Sequence, residues 1–256
     1  MQHNAADGFV RTETHHHITT ITFYHPQSNS LPGKLLTELA KEIHFAGTHD
    51  ETRVIVLRSD GEKAFCAGAS FDELINIKSE AEGLAFFSGF ANVINAMRTC
   101  HKFIIARIHG RCVGGGVGIA SAADYAIAYN KADIKLSELA VGIGPFVVGP
   151  AVERKIGLAA FSALAIDATS WRPAEWAKRK GLFAEVHESI EGMDESVDRL
   201  AEALAHSNPL AMANLKANFW EGTSHWDKLL RERAAISGKL ILSEFSKTAI
   251  HKFKAK

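Results

Sequence analysis

Three consecutive glycines, Gly114, Gly115 and Gly116, stand within "RCVGGGVGIASAAD" (111–124), directly after the apolar run "FIIARI" and before a run of small residues. The apolar run has the length and composition of a buried strand, and "GVGIASAA" reads as the start of a helix. Bare backbone at such a junction leaves the first N–H groups of the helix without intrahelical acceptors and free to face outward, an arrangement that attracts negative charge. A second glycine-bearing junction, "EKAFCAGASFDEL" (62–74), has the same form. A phosphate loop would need GxxxxGK[ST], or GxGxxG with a suitably placed acid about 20 residues on, and neither is present. Close helix–strand packing alone explains bare backbone at one junction. Two junctions with free donors can converge on one oxygen.

Strand and helix alternate around these junctions. "ITTITFY" alternates as a half-buried strand ended by Pro26, with "HHH" (15–17) as its polar start. "KLLTELAKEIHFA" is helical, and "RVIVLRS" is a strand that runs into the loop "DGEKAF". "FDELINI" and "AEGLAFFSGFANVINAM" read as helices, and "DYAIAY" and "DIKLSEL" as strands. Then come the helices "VERKIGLAAFSALAI" and "PAEWAKRKG", with Pro173 in a first-turn position, and the short strand "LFAEVHE". From about 191 the pattern is helical to the end. The expectation is an α/β core over 1–190 that passes without a linker into a C-terminal helical region, 191–256, packed on that core or on another subunit.

Charge and composition narrow the partners. With 29 Lys plus Arg against 29 Asp plus Glu, the chain has no global field for nucleic acid or anionic membrane. No window reaches the roughly 18 apolar residues of a membrane span, and no basic-then-apolar leader opens the chain, so a cytoplasmic location is expected. Cys66, Cys100 and Cys112 are too scattered for a disulfide framework or a metal site and read as small buried hydrophobes. Among the acids between 111 and 145, Asp124, Asp133 and Glu138, only Glu138 follows a strand and precedes a glycine-rich stretch. It is the best candidate for a general acid/base.

Taken together, "GEKAFCAGASFDEL", "GRCVGGGVGIASAADYAIA", "LSELAVGIGP" and "PAEWAKRKGLFAEV" resemble, in order, the motifs of the crotonase (enoyl-CoA hydratase/isomerase) superfamily. The resemblance implies an α/β fold, a spiral of ββα units with a C-terminal helical trimerisation region, assembled as a homotrimer or dimer of trimers. It implies an acyl-CoA thioester substrate, with no cofactor beyond the coenzyme A of the substrate. The backbone N–H groups of Ala69 and Gly115 would form an oxyanion hole for the thioester enolate, and Glu138 would be the catalytic acid/base. Lys63, Ala67, Gly68, Phe71, Gly114 and Gly118 fall at CoA- and substrate-binding positions, and Lys252 or Lys254 could reach a phosphate. The glycines would keep Cβ atoms away from the thioester. One family member binds RNA through a lysine-rich helix; that property is not carried over, since the corresponding helix here offers only Lys34 and Lys41.

Two departures stand out. Hydratases of the family carry two glutamates, and the first falls on Gly118, twenty residues before Glu138. The family's PGxGGTQ-like turn is replaced by "GIGPFVVGP", whose Phe146, Val147 and Val148 make the pocket wall more apolar. The leading expectation is hydration of a 2-enoyl-CoA, with 3-methylglutaconyl-CoA of leucine breakdown suggested by a resemblance to bacterial methylglutaconyl-CoA hydratase-like members. Single-glutamate isomerisation or decarboxylation is the alternative, and a non-catalytic acyl-CoA binder the third reading. Asp72, Glu73, Ser137 and His109 are candidates to replace the missing acid, Glu73 first; its removal is expected to impair hydration. Arg111, Arg154 and Lys155 are candidates to hold a distal carboxylate.

Overall fold

The protein is described over residues 7–254 in a computed structural model. It opens on a hairpin, β1 (Phe9–His15) and β2 (Ile18–Tyr24), joined antiparallel by His16 and His17 alone. Both histidines have positive φ, 49° and 68°. This is the two-residue turn whose twist matches the strands it joins. The histidines therefore end one strand and turn the chain, rather than opening β2. β1 escapes the sequence reading because this turn uses His-His where Asn-Gly is the usual signal.

Next come β3 (Ser30–Leu31), α1 (Gly33–Thr48), β4 (Val54–Ser59), β5 (Ala64–Cys66), β6 (Gly68–Ala69), α2 (Phe71–Leu74) and α3 (Glu80–Thr99). β7 (Phe103–Ile108), β8 (Arg111–Val113), α4 (Gly115–Ala122), β9 (Tyr125–Tyr129) and β10 (Ile134–Lys135) follow. A 3₁₀ turn, Glu138–Val141, leads to α5 (Gly149–Ile166), α6 (Ala174–Arg179) and β11 (Glu185–His187). The chain closes with α7 (Ile190–Ala205), α8 (Pro209–Phe219), α9 (Trp226–Leu240) and α10 (Glu244–Lys254).

The main sheet runs β1-β2-β4-β7-β9-β11 and is parallel except for the first pair. β10-β8-β5 form a second parallel sheet, and β3 pairs with β6 in a third. Side chains alternate across the main sheet. Ile55, Leu57, Ile104 and Ala106 face the larger core with α1 and α3, while Val54, Val56, Ile105 and Ile127 pack against Met193, Val197, Ala201 and Ala205 of α7. α7 thus belongs to the sheet's own layering, and α9 returns to lie against α3.

Three expectations are corrected in detail. "DIKLSEL" is a strand only at Ile134–Lys135, because Ser137 at ψ 0° turns the chain into the 3₁₀ segment. Pro173 is the N-cap of α6, one residue before its first helical position. α5 is broken at Gly157, whose φ of 77° and ψ of 158° lie outside helical space.

Candidate active site

The glycine run ends β8 and opens α4. Gly114, the N-cap, has φ 52° and ψ −111°, a conformation that an L side chain strains to adopt. A Cβ on Gly114 would stand 3.0 Å from Glu138 Oε1, so this glycine lets the carboxylate lie against the backbone. Gly115 and Gly116 are bare for a different reason from the one the sequence suggested. Cβ atoms there would run into the Phe90 ring at 2.2 Å and the Cys66 carbonyl at 2.3 Å. Protein, not ligand, occupies that space, since α4 approaches α3 and β5 more closely than any side chain permits.

The second junction lies alongside. A Cβ on Gly68 would be 3.8 Å from the Gly115 nitrogen. Gly115 is the first residue of α4, so its N–H has no acceptor within the helix. In β6, the Ser70 N–H that follows donates to the Leu31 carbonyl at 3.0 Å. Successive N–H groups of an extended chain point to opposite sides, so the Ala69 N–H faces away from β3. Ala69 and Gly115 both line one cavity of ≈ 90 Å³, together with Glu138.

Glu138 begins the 3₁₀ turn, which Gly142 closes at φ 80°. Part of the residue is exposed, but Oε2 is sealed from solvent and has no hydrogen-bond partner. Burial pushes its carboxyl up to about 7, slightly offset by its own backbone N–H. A carboxyl poised near neutrality takes up and releases protons with little bias either way. Around it the wall is apolar: Phe86, Phe87 and Phe90 of α3, and Phe146, Val147 and Val148 before α5. The phenylalanines of α3 and Ser237 of α9 line the site without having been marked in the sequence. The only available signal was the Phe86-Phe87 pair, with Phe90 four residues after Phe86 on the same helix face.

Of the other positions singled out, Ala67, Gly68, Phe71 and Gly114 line the cavity. Lys63 is exposed in the loop before β5, and Lys252 is exposed on α10; the Lys254 side chain lies outside the described residues. Gly118 does not line the cavity, because Val148 covers it: a Cβ on Gly118 would lie 2.5 Å from Val148 Cγ1.

The substitutes proposed for a second acid are mostly engaged elsewhere. Glu73 Oε2 accepts from the Gly33 N–H at 2.8 Å and so caps α1 from outside, and Asp72 accepts from Gln27 Nε2 at 2.8 Å. His109 is buried and pushed down to about 4 by burial and by Arg107, and it does not line the cavity. Only Ser137 does. Glu73→Ala is therefore expected to lower stability by about 1 kcal/mol, the usual value of a lost cap, and to leave turnover intact. Thermal melts beside rate measurements check this; a loss of rate at unchanged melting temperature would contradict it.

The candidate cations for a distal carboxylate are also committed. Lys155 Nζ donates to the carbonyls of Ala123 at 2.8 Å and Asp124 at 3.2 Å, and Arg154 donates to those of Phe219 and Glu221. The Arg111 guanidinium lies 4.9 Å from the Trp171 ring centre. None of the three lines the cavity.

Glu138 and the backbone of Ala69 and Gly115 thus share one cavity with largely apolar walls. The fold is similar to that in the crystal structure of an enoyl-CoA hydratase from Bacillus halodurans, with a TM-score of 0.87, 22% identity, and 95% of this chain and 99% of that chain covered. Carnitinyl-CoA dehydratase of Escherichia coli K12 is 29% identical over 252 residues, covering 89% of this chain and 92% of that protein. The peroxisomal Delta(3,5)-Delta(2,4)-dienoyl-CoA isomerase of Arabidopsis thaliana is 28% identical over 204 residues, covering 74% of this chain and 72% of that protein. The model of the enoyl-CoA hydratase/isomerase family matches residues 13–255, and the chain belongs to that family.

Proposed function

We propose that this protein isomerises the double bond of an enoyl-CoA with Glu138 as its sole acid/base. One observation carries the reading: among the described residues lining the cavity, Glu138 is the only ionisable one. The Glu138 carboxylate removes a proton from C2 of a 3-enoyl thioester, and the electrons move to the thioester oxygen as a dienolate. The Ala69 and Gly115 N–H groups stabilise that charge, each donor being worth about 3 kcal/mol in sites of this kind. The protonated Glu138 then delivers the proton to C4, which leaves a 2-enoyl-CoA and the carboxylate as it began. No water is consumed.

Hydration is the second reading, favoured by the Ser137 hydroxyl, which lines the cavity and could hold a water. It adds the water oxygen to C3 and a proton to C2. The acyl group is proposed to be apolar: with no cation among the described residues of the lining, a 3-methylglutaconyl carboxylate would be left without a partner there. Lys63 and Lys252 are proposed phosphate contacts. A homotrimer or dimer of trimers is proposed from the exposed apolar side chains of α8 and α10, Leu210, Leu215, Phe219 and Phe245.

Incubation with a 3-enoyl-CoA, crotonyl-CoA and 3-methylglutaconyl-CoA in turn tests the reaction. Conjugated-thioester absorbance is expected to appear from the 3-enoyl substrate. Its loss from crotonyl-CoA, with no gain from the 3-enoyl substrate, would establish hydration instead.

A further inference from the structure

Gly114 is the N-cap of α4 and Gly118 is the fourth residue of that helix. Each has a partner seated where its side chain would be. Over Gly114 it is the Glu138 carboxylate; over Gly118 it is Val148, with Cγ1 at 2.5 Å, Cβ at 2.9 Å and Ile94 Cδ1 at 3.5 Å from the position of a Cβ. Val148 is 4% exposed and Ile94 is fully buried. The valine is also fixed in place: its carbonyl accepts from the Val152 N–H at 3.0 Å in the first turn of α5, where it is the N-cap residue. Val148 lines the same cavity as Glu138. The cavity wall therefore carries both the Glu138 carboxyl and an aliphatic side chain that is packed over Gly118.

We infer that Val148 is a specificity-determining residue: seated on Gly118, it fills the space from which a polar group or an ordered water would act on the acyl chain beside Glu138. It thereby holds the site to proton transfer between carbons and suppresses addition of water. The apolar neighbours add to this, since a water placed there would find too few hydrogen-bond partners to be held. The inference rests on the proposed single-base reaction but makes a separate demand on a different residue. Enolate formation needs Glu138, whereas the partition of the reaction between isomerisation and hydration needs Val148.

The test compares the parent protein with Val148→Ala, which opens the space, and Val148→Thr, which keeps the shape and places a hydroxyl in it. Products from a 3-enoyl-CoA and from crotonyl-CoA are separated by chromatography to give the ratio of 3-hydroxyacyl product to isomer. Exchange of the C2 hydrogens of butyryl-CoA in D₂O is followed in parallel as a measure of enolate formation alone. The ratio is expected to rise at least about tenfold in Val148→Thr, the scale of one positioned hydrogen bond, and to rise in Val148→Ala as well. An unchanged ratio in a folded Val148→Thr that still exchanges C2 hydrogens overturns the inference and leaves the single-base reading standing. Absence of exchange in the parent protein overturns that reading, and the inference with it. If Val148→Ala fails to fold, the isosteric threonine variant decides alone.

Discussion

Glu138→Gln is expected to lower turnover of an enoyl-CoA by about 10²- to 10⁴-fold, the usual worth of a positioned general acid/base, with acyl-CoA affinity changed little. Affinity is spared because the two backbone donors and the phenylalanine wall are untouched by an exchange of carboxyl for amide. Isothermal titration beside initial rates separates the two effects, and a variant that kept its rate would remove Glu138 from the chemistry. The proposed reaction uses the ionised carboxylate as base, so the rate should climb with pH and level off above about 7.

The same substitution carries a stability signature. Glu138 is held at about 7 against an ordinary 4.5, so the native state keeps a proton that the unfolded chain has released. Below pH 4.5 both states are protonated and burial is not penalised on this account. As pH rises through 4.5 towards 7 the native state loses relative stability, by about 3 kcal/mol in all. Glutamine does not titrate, so the stability gain of Glu138→Gln over the parent should grow by that amount between pH 4 and pH 8. Denaturant unfolding at the two pH values reads it directly. A gain independent of pH would mean that the carboxyl ionises freely in the fold.

The second large effect lies at the far end of α4. Lys216 Nζ of α8 meets Asp124 Oδ2 at 2.7 Å, with side-chain exposures of 2% and 6%, and also donates to the Lys102 carbonyl at 2.7 Å. Asp124 Oδ2 in turn accepts from the Ile104 N–H at 2.8 Å, which ties the end of α4 to β7. Lys216→Met is expected to destabilise the protein by about 3–5 kcal/mol, because it leaves a buried carboxylate without its cation. Replacing both partners together, as Lys216→Met with Asp124→Asn, should recover part of the loss. A double variant no more stable than the single one would show that the backbone hydrogen bonds, rather than the charge pair, hold this end of the helix.

What the sequence made legible was local chemistry. Glu138 is marked by its place between a strand and a glycine-rich stretch, and the two glycine junctions by runs of bare backbone, so each could be read from neighbours a few residues away. The cavity that gathers Ala69, Gly115 and Glu138 draws on those same segments. The missed features all depend on residues distant along the chain. Val148 meets Gly118 from thirty residues away, and nothing in either segment announces the contact. Glu73 resembles a displaced catalytic acid until the fold brings Gly33 to it, 40 residues earlier, as a helix end in need of an acceptor. Lys155 and Arg154 look free in a string of letters and are spent on carbonyls in the fold. Gly118 alone appeared to be a lost acid; with Val148 beside it, the two departures from the family pattern form one packed unit.

Hydrogen exchange at carbon tests the central claim most directly. Butyryl-CoA is incubated in D₂O with the parent protein and with Glu138→Gln, and deuterium at C2 is followed by NMR. The account requires exchange catalysed by the parent at a rate that rises to a plateau above about pH 7, and none above background with the glutamine variant. Equal exchange by both proteins, or by neither, would contradict it.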